Sequence, residues 1–475
     1  MAPTRSSGWR RWLGYSLGFD TRSLALLRIG LAAIFLLDML QSLPYLDLLY
    51  SDEGFFPRSL LPGLERVHQW SLYLGLGTPF TVAMLYGVQM AAVVLLGLGW
   101  KTRWMSFWCF LLASSLQARS ATIPGYDGEI RLLLLYGTVL PWGEIWSLDA
   151  RGKAAVPRVL ASPATLAWRM QVAILYVGAG LLKGGPYWAD GTAVEASLHS
   201  DGYATAWAAW LLGRLEPYPD ALVLLNDAVP LYEILVPLLL FFPWPSVQAL
   251  GALMLVAMHA AFGLCLDIGL FSVVCSVCLL GFLPGSWLDL LSRRQQVAPV
   301  DWKGGPAPLA AALTFCIVWS WLSLWNLLPE GKDTFSERTL TPIQVLGLEQ
   351  SWGMFVPPPI EGGWHVLKGR TRSGRWVDLL QQRPHSSDDR PEFPHRIYPN
   401  VRIYLLCSNH LRGRESVFDI RKTAAHCLRR RWEESHPSEL DRLERVELLY
   451  FKRMYKPGEG YGPSTRHLLW EEDFL

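Results

Sequence analysis

Leu175-Tyr-Val-Gly-Ala-Gly-Leu-Leu-Lys-Gly-Gly-Pro-Tyr-Trp-Ala-Asp-Gly-Thr-Ala-Val194 is the stretch on which the reading of this chain turns. An apolar run reaches Lys183, meets Gly184-Gly185-Pro186 and passes into a polar loop that carries Trp188. Glycine relaxes the helical backbone and proline removes an amide donor, so a helix arriving at Lys183 ends there. Gly178, Ala179 and Gly180 leave room for a neighbouring helix to come close, as in membrane bundles. Lys183 has two readings. It can snorkel to the interface and complement the carbonyl end of its helix, or it can be a functional amine in a partly dry pocket.

The composition around this stretch is that of a membrane protein. Half of the chain is hydrophobic (51%) and it holds 23 tryptophans, which membrane proteins concentrate at their interfaces. A formal charge of +2 identifies no partner, and no nucleic acid is expected among the partners. The charge is unevenly placed, with Arg and Lys crowding the C-terminal third. The seven cysteines show no zinc spacing, and Cys275 and Cys278 read as small hydrophobic packing inside an apolar helix. The basic, aromatic start lacks the small-residue cleavage site of a signal peptide.

Outward from the central stretch, the chain divides into three parts. Residues 1–22, with Arg5, Arg10, Arg11, Trp9 and Trp12, suit a basic interfacial segment. Residues 23–329 read as an all-α polytopic membrane domain of nine spans. These fall at about 24–46, 78–98, 104–118, 129–146, 163–183, 220–242, 246–265, 268–288 and 307–328, several of them near the lower limit of about 17 residues for crossing. An aromatic piece around Tyr203–Leu212 suits the membrane surface. With the N-terminus inside, one set of loops collects Arg22, Lys101, Arg103, Arg151, Lys153, Arg158, Arg293, Arg294 and Lys303. The other set holds only Arg58, Arg66, Arg119 and Arg214 alongside Asp47, Asp52, Glu53, Glu65, Asp127, Asp190, Glu195, Asp201 and Glu216. That asymmetry follows the positive-inside rule. Nine spans then put residues 330–475 outside, as a small α+β soluble domain of a protein in the cell (inner) membrane.

Within that domain, Trp364-His-Val-Leu and Val401-Arg-Ile-Tyr-Leu-Leu alternate like strands, while Glu415–Glu433 and Ser438–Val446 read as helices. An extracytoplasmic setting permits a disulfide between Cys407 and Cys427.

Ionisable residues inside spans are costly and face protein or a cavity. Those here are Arg28, Asp38, Asp127, Glu129, Arg131, Lys183, Asp227, Glu233, His259 and Asp267. Asp127 and Glu129 open a helix and could cap it. Arg131 needs a partner from another helix, because Glu129 is too close in sequence to face it. Glu233, between Pro230 and Pro237, shares a helix face with Asn226 and suggests a polar seam. No second histidine stands at ligand spacing from His259, so no metal is expected, while its ordinary pKa suits proton transfer.

Together these stretches resemble the horizontally transferred transmembrane (HTTM) domain family, which includes the vitamin K-dependent γ-glutamyl carboxylases. The resemblance rests on Ala179-Gly-Leu-Leu-Lys183 with Trp188-Ala-Asp-Gly-Thr-Ala-Val194, and on Tyr126-Asp-Gly-Glu-Ile-Arg131 followed by Leu140-Pro-Trp-Gly143 and Trp146-Ser-Leu-Asp149. His259 with Asp267-Ile-Gly-Leu-Phe271, and Gln350-Ser-Trp-Gly-Met-Phe-Val-Pro357, extend it over residues 20–360. The carboxylase branch implies a lysine base that deprotonates a reduced, vitamin K-like quinone; oxygen converts the quinol to a strong base, that base removes a γ-proton from a peptide glutamate, and carbon dioxide traps the carbanion. Lys183 and Trp188 keep that branch's spacing, and burial of a lysine favours the neutral amine a base requires. Where the carboxylases carry Asn-Asn-His, this chain has Gly125-Tyr-Asp127, and its outer region is too short for a large propeptide-recognition domain.

The resemblance thus implies catalytic roles for Lys183, Asp127 and His259, and substrate contacts for Trp188, Glu233 and Arg131, in a quinol-linked enzyme acting on a peptide or protein. The alternative is a non-catalytic maturation or binding module for a secreted client. A transporter is disfavoured, because no internal repeat appears.

Overall fold

The structure is a computed structural model that describes residues 16–61, 70–152, 158–289, 301–302 and 307–328, then 331, 334–336, 341, 345, 350–412 and 418–474. The basic segment before residue 16 lies outside the described residues, as do Glu65, Arg66, Lys153, Arg293, Arg294, Lys303 and Glu415.

The bundle is built from α1 (Thr21–Ser42), α2 (Pro79–Leu98), α3 (Thr102–Arg119), α4 (Gly125–Gly137) and α5 (Pro163–Leu182). After it come α6 (Ala193–His199), α7 (Ala206–Leu215), α8 (Pro219–Leu235), α9 (Pro245–Cys265), α10 (Phe271–Cys278) and α11 (Ala307–Leu327). Several starts are readable in the sequence: Asp20 caps α1, Thr78 caps α2, and Ser162 with Thr165 forms a reciprocal capping box before Pro163 on α5. Among the described residues five helices are long and apolar enough to cross a membrane: Thr21–Tyr50, Pro79–Leu98, Pro163–Leu182, Pro219–Phe241 and Pro245–Cys265.

Of the remaining four expected spans, α4 and α10 are shorter than the sequence suggested, while α3 and α11 keep the expected length. α4 stops after 13 residues, where Leu140-Pro-Trp-Gly143 turns away, well short of the expected 129–146. α10 gives way to a tighter turn, so Phe271–Phe282 is a short apolar helix. α3 carries Ser106, Ser114, Ser115 and Gln117 along its length. α11 runs partly over side chains outside the described set.

Polar contacts close the two ends of the bundle differently. At the far end, Phe19–Asp20, Val159–Ala161 and Asp301–Trp302 form a three-stranded sheet, β1 to β3 in that order. Beside it Arg22 and Arg158 grip Asp289 at 2.9 and 2.7 Å. At the near end the C-terminal domain docks.

That domain is an antiparallel sheet of β4 (Glu361–Thr371), β5 (Trp376–Asp378), β6 (Leu443–Lys456), β7 (Gly460–Tyr461) and β8 (Thr465–Asp473), ordered β5-β4-β6-β7 with β8 also on β6. The helix α12 (Val401–Leu405) faces the bundle, and α13 (Phe418–Ser435) lies against β6 and β8. Two expectations are corrected here. Val401–Leu406 is no strand, because the Asn400 side chain accepts from Arg402 N at 2.8 Å and starts a helix. Ser438–Val446 is mostly not helical: from Leu443 the chain becomes the central strand β6, whose Leu443, Val446 and Leu448 fill the core. Tertiary burial has overridden helix propensity there. Cys407 and Cys427 are free thiols, and burial pushes both up to about 12.

Candidate functional site

The site begins with a close approach of two helices. A side chain on Gly180 would collide with Ile234, with the Pro230 carbonyl and with Glu233, so glycine is what lets α5 and α8 meet. Asn226 and Glu233 are the two fully buried residues of α8, and they form the seam that the sequence suggested. Asn226 holds the loop after α5, donating to the Trp188 carbonyl at 2.9 Å and accepting from Ala193 N at 3.1 Å. Gly185, at φ +88°, supplies the left-handed turn that folds this loop back.

Lys183 therefore does not reach out to solvent. Its Nζ donates to Glu233 Oε2 at 2.6 Å and to the Ala179 carbonyl at 3.4 Å, and it lies 5.5 Å from the centre of the Trp188 ring. Trp188 is fixed by its indole N–H, which donates to the Phe355 carbonyl at 3.0 Å. From α9, His259 faces the same space. Its Nε2 is 2.9 Å from the Tyr176 hydroxyl, and the rings of Phe262 and Phe271 meet it edge-on. Among the described residues its Nδ1 has no hydrogen-bond partner.

These groups line one cavity of about 200 Å³, walled by α5, α8, α9 and the segment around Trp352 to Phe355. The rest of the lining is largely apolar, so Lys183, Glu233 and His259 are concentrated polar chemistry in a dry setting. The lysine and the carboxylate, 2.6 Å apart, are joined by a short charge-assisted hydrogen bond. Such a pair can pass a proton to or from a ligand.

The structure brings Lys183, Trp188, Glu233 and His259 together. Asp127 belongs elsewhere. It accepts from both terminal nitrogens of Arg402, at 2.6 and 3.0 Å. Arg402 also reaches Asp38 at 2.7 Å, and Asp38 accepts from the Tyr126 hydroxyl at 2.9 Å. Burial works against the charge of Arg402, but Asp127 and Asp38 outweigh it and hold its pKa above the ordinary arginine value. Arg131 pairs across helices with Gln117 Oε1 at 2.8 Å, and Gln117 in turn donates to the Asp127 carbonyl. Asp127 and Arg131 thus support the seat of the C-terminal domain rather than the cavity.

Sequence reasoning missed Tyr176 and Arg402. Tyr176 had a signal, since it precedes Lys183 by seven residues and so shares its helix face. Arg402 had none, lying in a stretch whose alternation suggested a strand. Also missed was the link through Gln171 on α5, which exchanges amide hydrogen bonds with Gln350 at 3.3 and 3.0 Å, while Trp352 Nε1 donates to Gln350 Oε1 at 2.5 Å.

No curated protein and no solved structure matches this chain. The model of the HTTM domain matches residues 18–287, a range that contains Lys183, Glu233 and His259 and more than half of the sequence, and the chain belongs to the HTTM domain family.

Proposed function

We propose that this HTTM protein is a membrane enzyme in which Lys183 serves as a base, with Glu233 as the acceptor of its proton, on a lipophilic ligand held in the cavity. The observation that carries the reading is the convergence of Lys183, Glu233 and His259 on one apolar space. A reduced quinone fits that lining: Lys183 and His259 would hold its hydroxyl groups, and the apolar wall its chain. His259 Nδ1, buried and without a partner among the described residues, is the kind of atom such a head would satisfy. When bound, a reduced quinone would supply, on its oxidation by dioxygen, the strong base that removes a γ-proton. Lys183 holds or releases a proton at Nζ, Glu233 relays it, Tyr176 orients His259, and the apolar wall excludes water. The modified substrate would be a glutamate-containing peptide or secreted protein.

The expected arrangement is nine passes in the cell (inner) membrane, with the N-terminus cytoplasmic and the C-terminal domain extracytoplasmic. In support, successive bundle helices from α1 to α11, setting aside the short α6 and α7, alternate between the far-end sheet and the domain-side contacts.

The test is incorporation of labelled carbon dioxide into glutamate peptides by the reconstituted protein supplied with a reduced quinone and dioxygen. Activity that disappears in Lys183→Arg, with the fold retained, supports the reading, because arginine holds its proton too tightly to act as a base. Equal activity in wild type and Lys183→Arg contradicts it. A second reading, a maturation or binding module for a secreted client, draws support from Asp127, which is engaged by Arg402 and so unavailable for chemistry.

A further inference from the structure

The cavity has a side that faces away from the protein core. The tighter turn Val236–Phe241 that continues α8 packs closely on α9 at the far end, where Gly251 lies against Leu239 and the Val236 carbonyl. Towards the domain side the cavity separates them. Leu225 of α8 and Ala261 of α9 line the cavity and are also exposed on the flank of the bundle. That flank is strongly apolar: Leu224 is 69% exposed, and Leu231, Leu235 and Leu264 are exposed beside it. An opening framed by such residues in a membrane helix bundle looks into lipid, since water would not be met by so much bare hydrocarbon.

The helix α7 roofs this opening. Its Leu211 points into the cavity lining, while Trp207 and Trp210 stand exposed with ring centroids 5.8 Å apart and Arg214 lies 5.6 Å from the Trp210 ring. One apolar face, two tryptophans and a cation make a helix suited to the membrane surface. Two hydrogen bonds fix its start to the end of α9. Thr205 N donates to the Cys265 carbonyl at 3.0 Å, and Thr205 Oγ1 to the Leu264 carbonyl at 2.5 Å. Its far end passes through exposed Glu216, Pro217 and Tyr218 directly into α8, which starts at Pro219.

We infer that the gap between α8 and α9 beneath α7 is the entrance by which a membrane-dissolved, single-chain amphiphile reaches the cavity. This rests on the reading of the cavity as a ligand site. The occupant follows from the lining: an oxygen-bearing head to satisfy His259 Nδ1 beside Lys183, and one apolar chain leaving between Leu225 and Ala261. Leu211 of α7, which lines the cavity, sets how freely the chain passes.

The native Cys265, which lines the cavity, reports the route. The protein in liposomes is treated with a long-chain N-alkyl maleimide dissolved in the bilayer, or with a charged maleimide confined to water, and modification is mapped by peptide mass spectrometry. The expected result is modification of Cys265 by the alkyl reagent and none by the charged one, with Leu211→Trp slowing the former. Modification from water alone, by neither reagent, or at an unchanged rate in a folded Leu211→Trp variant overturns the entrance. The amphiphile content of the purified wild-type protein, read by native mass spectrometry, separates the two claims: a bound amphiphile without the labelling pattern refutes the route and leaves the cavity reading standing.

Discussion

Lys183 Nζ and Glu233 Oε2 stand 2.6 Å apart inside the bundle, with side chains only 4% and 5% exposed. Breaking a pair so buried leaves one group without its counter-charge, at a cost of about 3–5 kcal/mol, whereas replacing both partners by apolar groups is often nearly neutral. Lys183→Met and Glu233→Leu should therefore each lower the thermal midpoint in nanodiscs, and the double variant should recover most of the loss. Losses that simply add in the double variant would show that the two residues are not coupled.

Arg402 carries the docking of the C-terminal domain. It is the one cation bonded to both Asp127 and Asp38 among the described residues, and no lysine can reproduce its two-pronged grip. Arg402→Met should cost about 3–5 kcal/mol by stranding two carboxylates. Arg402→Lys should recover only part of that. Melting curves of both variants provide the measurement, and a neutral Arg402→Met would remove Arg402 from this role.

The segment Gln350–Pro359 should resist protease in the intact protein. Trp352 is buried, its indole nitrogen donates to Gln350, and its ring packs on Gly178 of α5. Trp352→Ala opens a cavity worth about 3–5 kcal/mol and should expose the segment. Ready cleavage of the unaltered protein here would contradict the docking.

Much of this was legible. The helix stop at Gly184-Gly185-Pro186, the seam of Asn226 and Glu233, and the close approach at Gly180 are local pattern, and local pattern survives folding. The acidic loops were legible too, but only as an orientation signal. Their partners were not: Arg430 meets Glu53 at 3.1 Å, and Arg390 and Arg453 meet Asp201 at 2.8 and 3.2 Å. Arg390, Arg402, Arg430, Arg431 and Arg453 of the C-terminal third and acidic residues before it form an interface. Pairings across hundreds of residues leave no periodicity, and for the same reason Asp127 looked like a member of the catalytic set. The length of α4 was misjudged because Leu140-Pro-Trp-Gly143 continues the apolar composition while its proline and glycine end the helix.

Acid should weaken the C-terminal domain. Burial, with the charge of Arg412 adding to it, holds the His365 imidazole well below its usual pKa, and the neutral ring bonds Tyr398 at 2.8 Å. The unfolded chain binds that proton near pH 6.5 and the folded one does not, so stability is full above about 6.5 and falls below it. The slope from this one group is at most about 1.4 kcal/mol per pH unit, and it ends once pH drops beneath the folded value. Denaturant titrations at several pH values should show a shallower acid limb in His365→Leu. An identical limb would remove His365 as the cause.

The cavity itself is tested most directly by native mass spectrometry of the protein released from nanodiscs, comparing wild type with Val229→Trp, which fills the space beside Glu233. The expected result is one amphiphile per wild-type chain, carrying an oxygen-bearing head, and its loss from a variant that still folds and melts cooperatively. Wild-type protein that carries no bound amphiphile, or a Val229→Trp variant that retains the same one, would contradict a ligand held against Lys183.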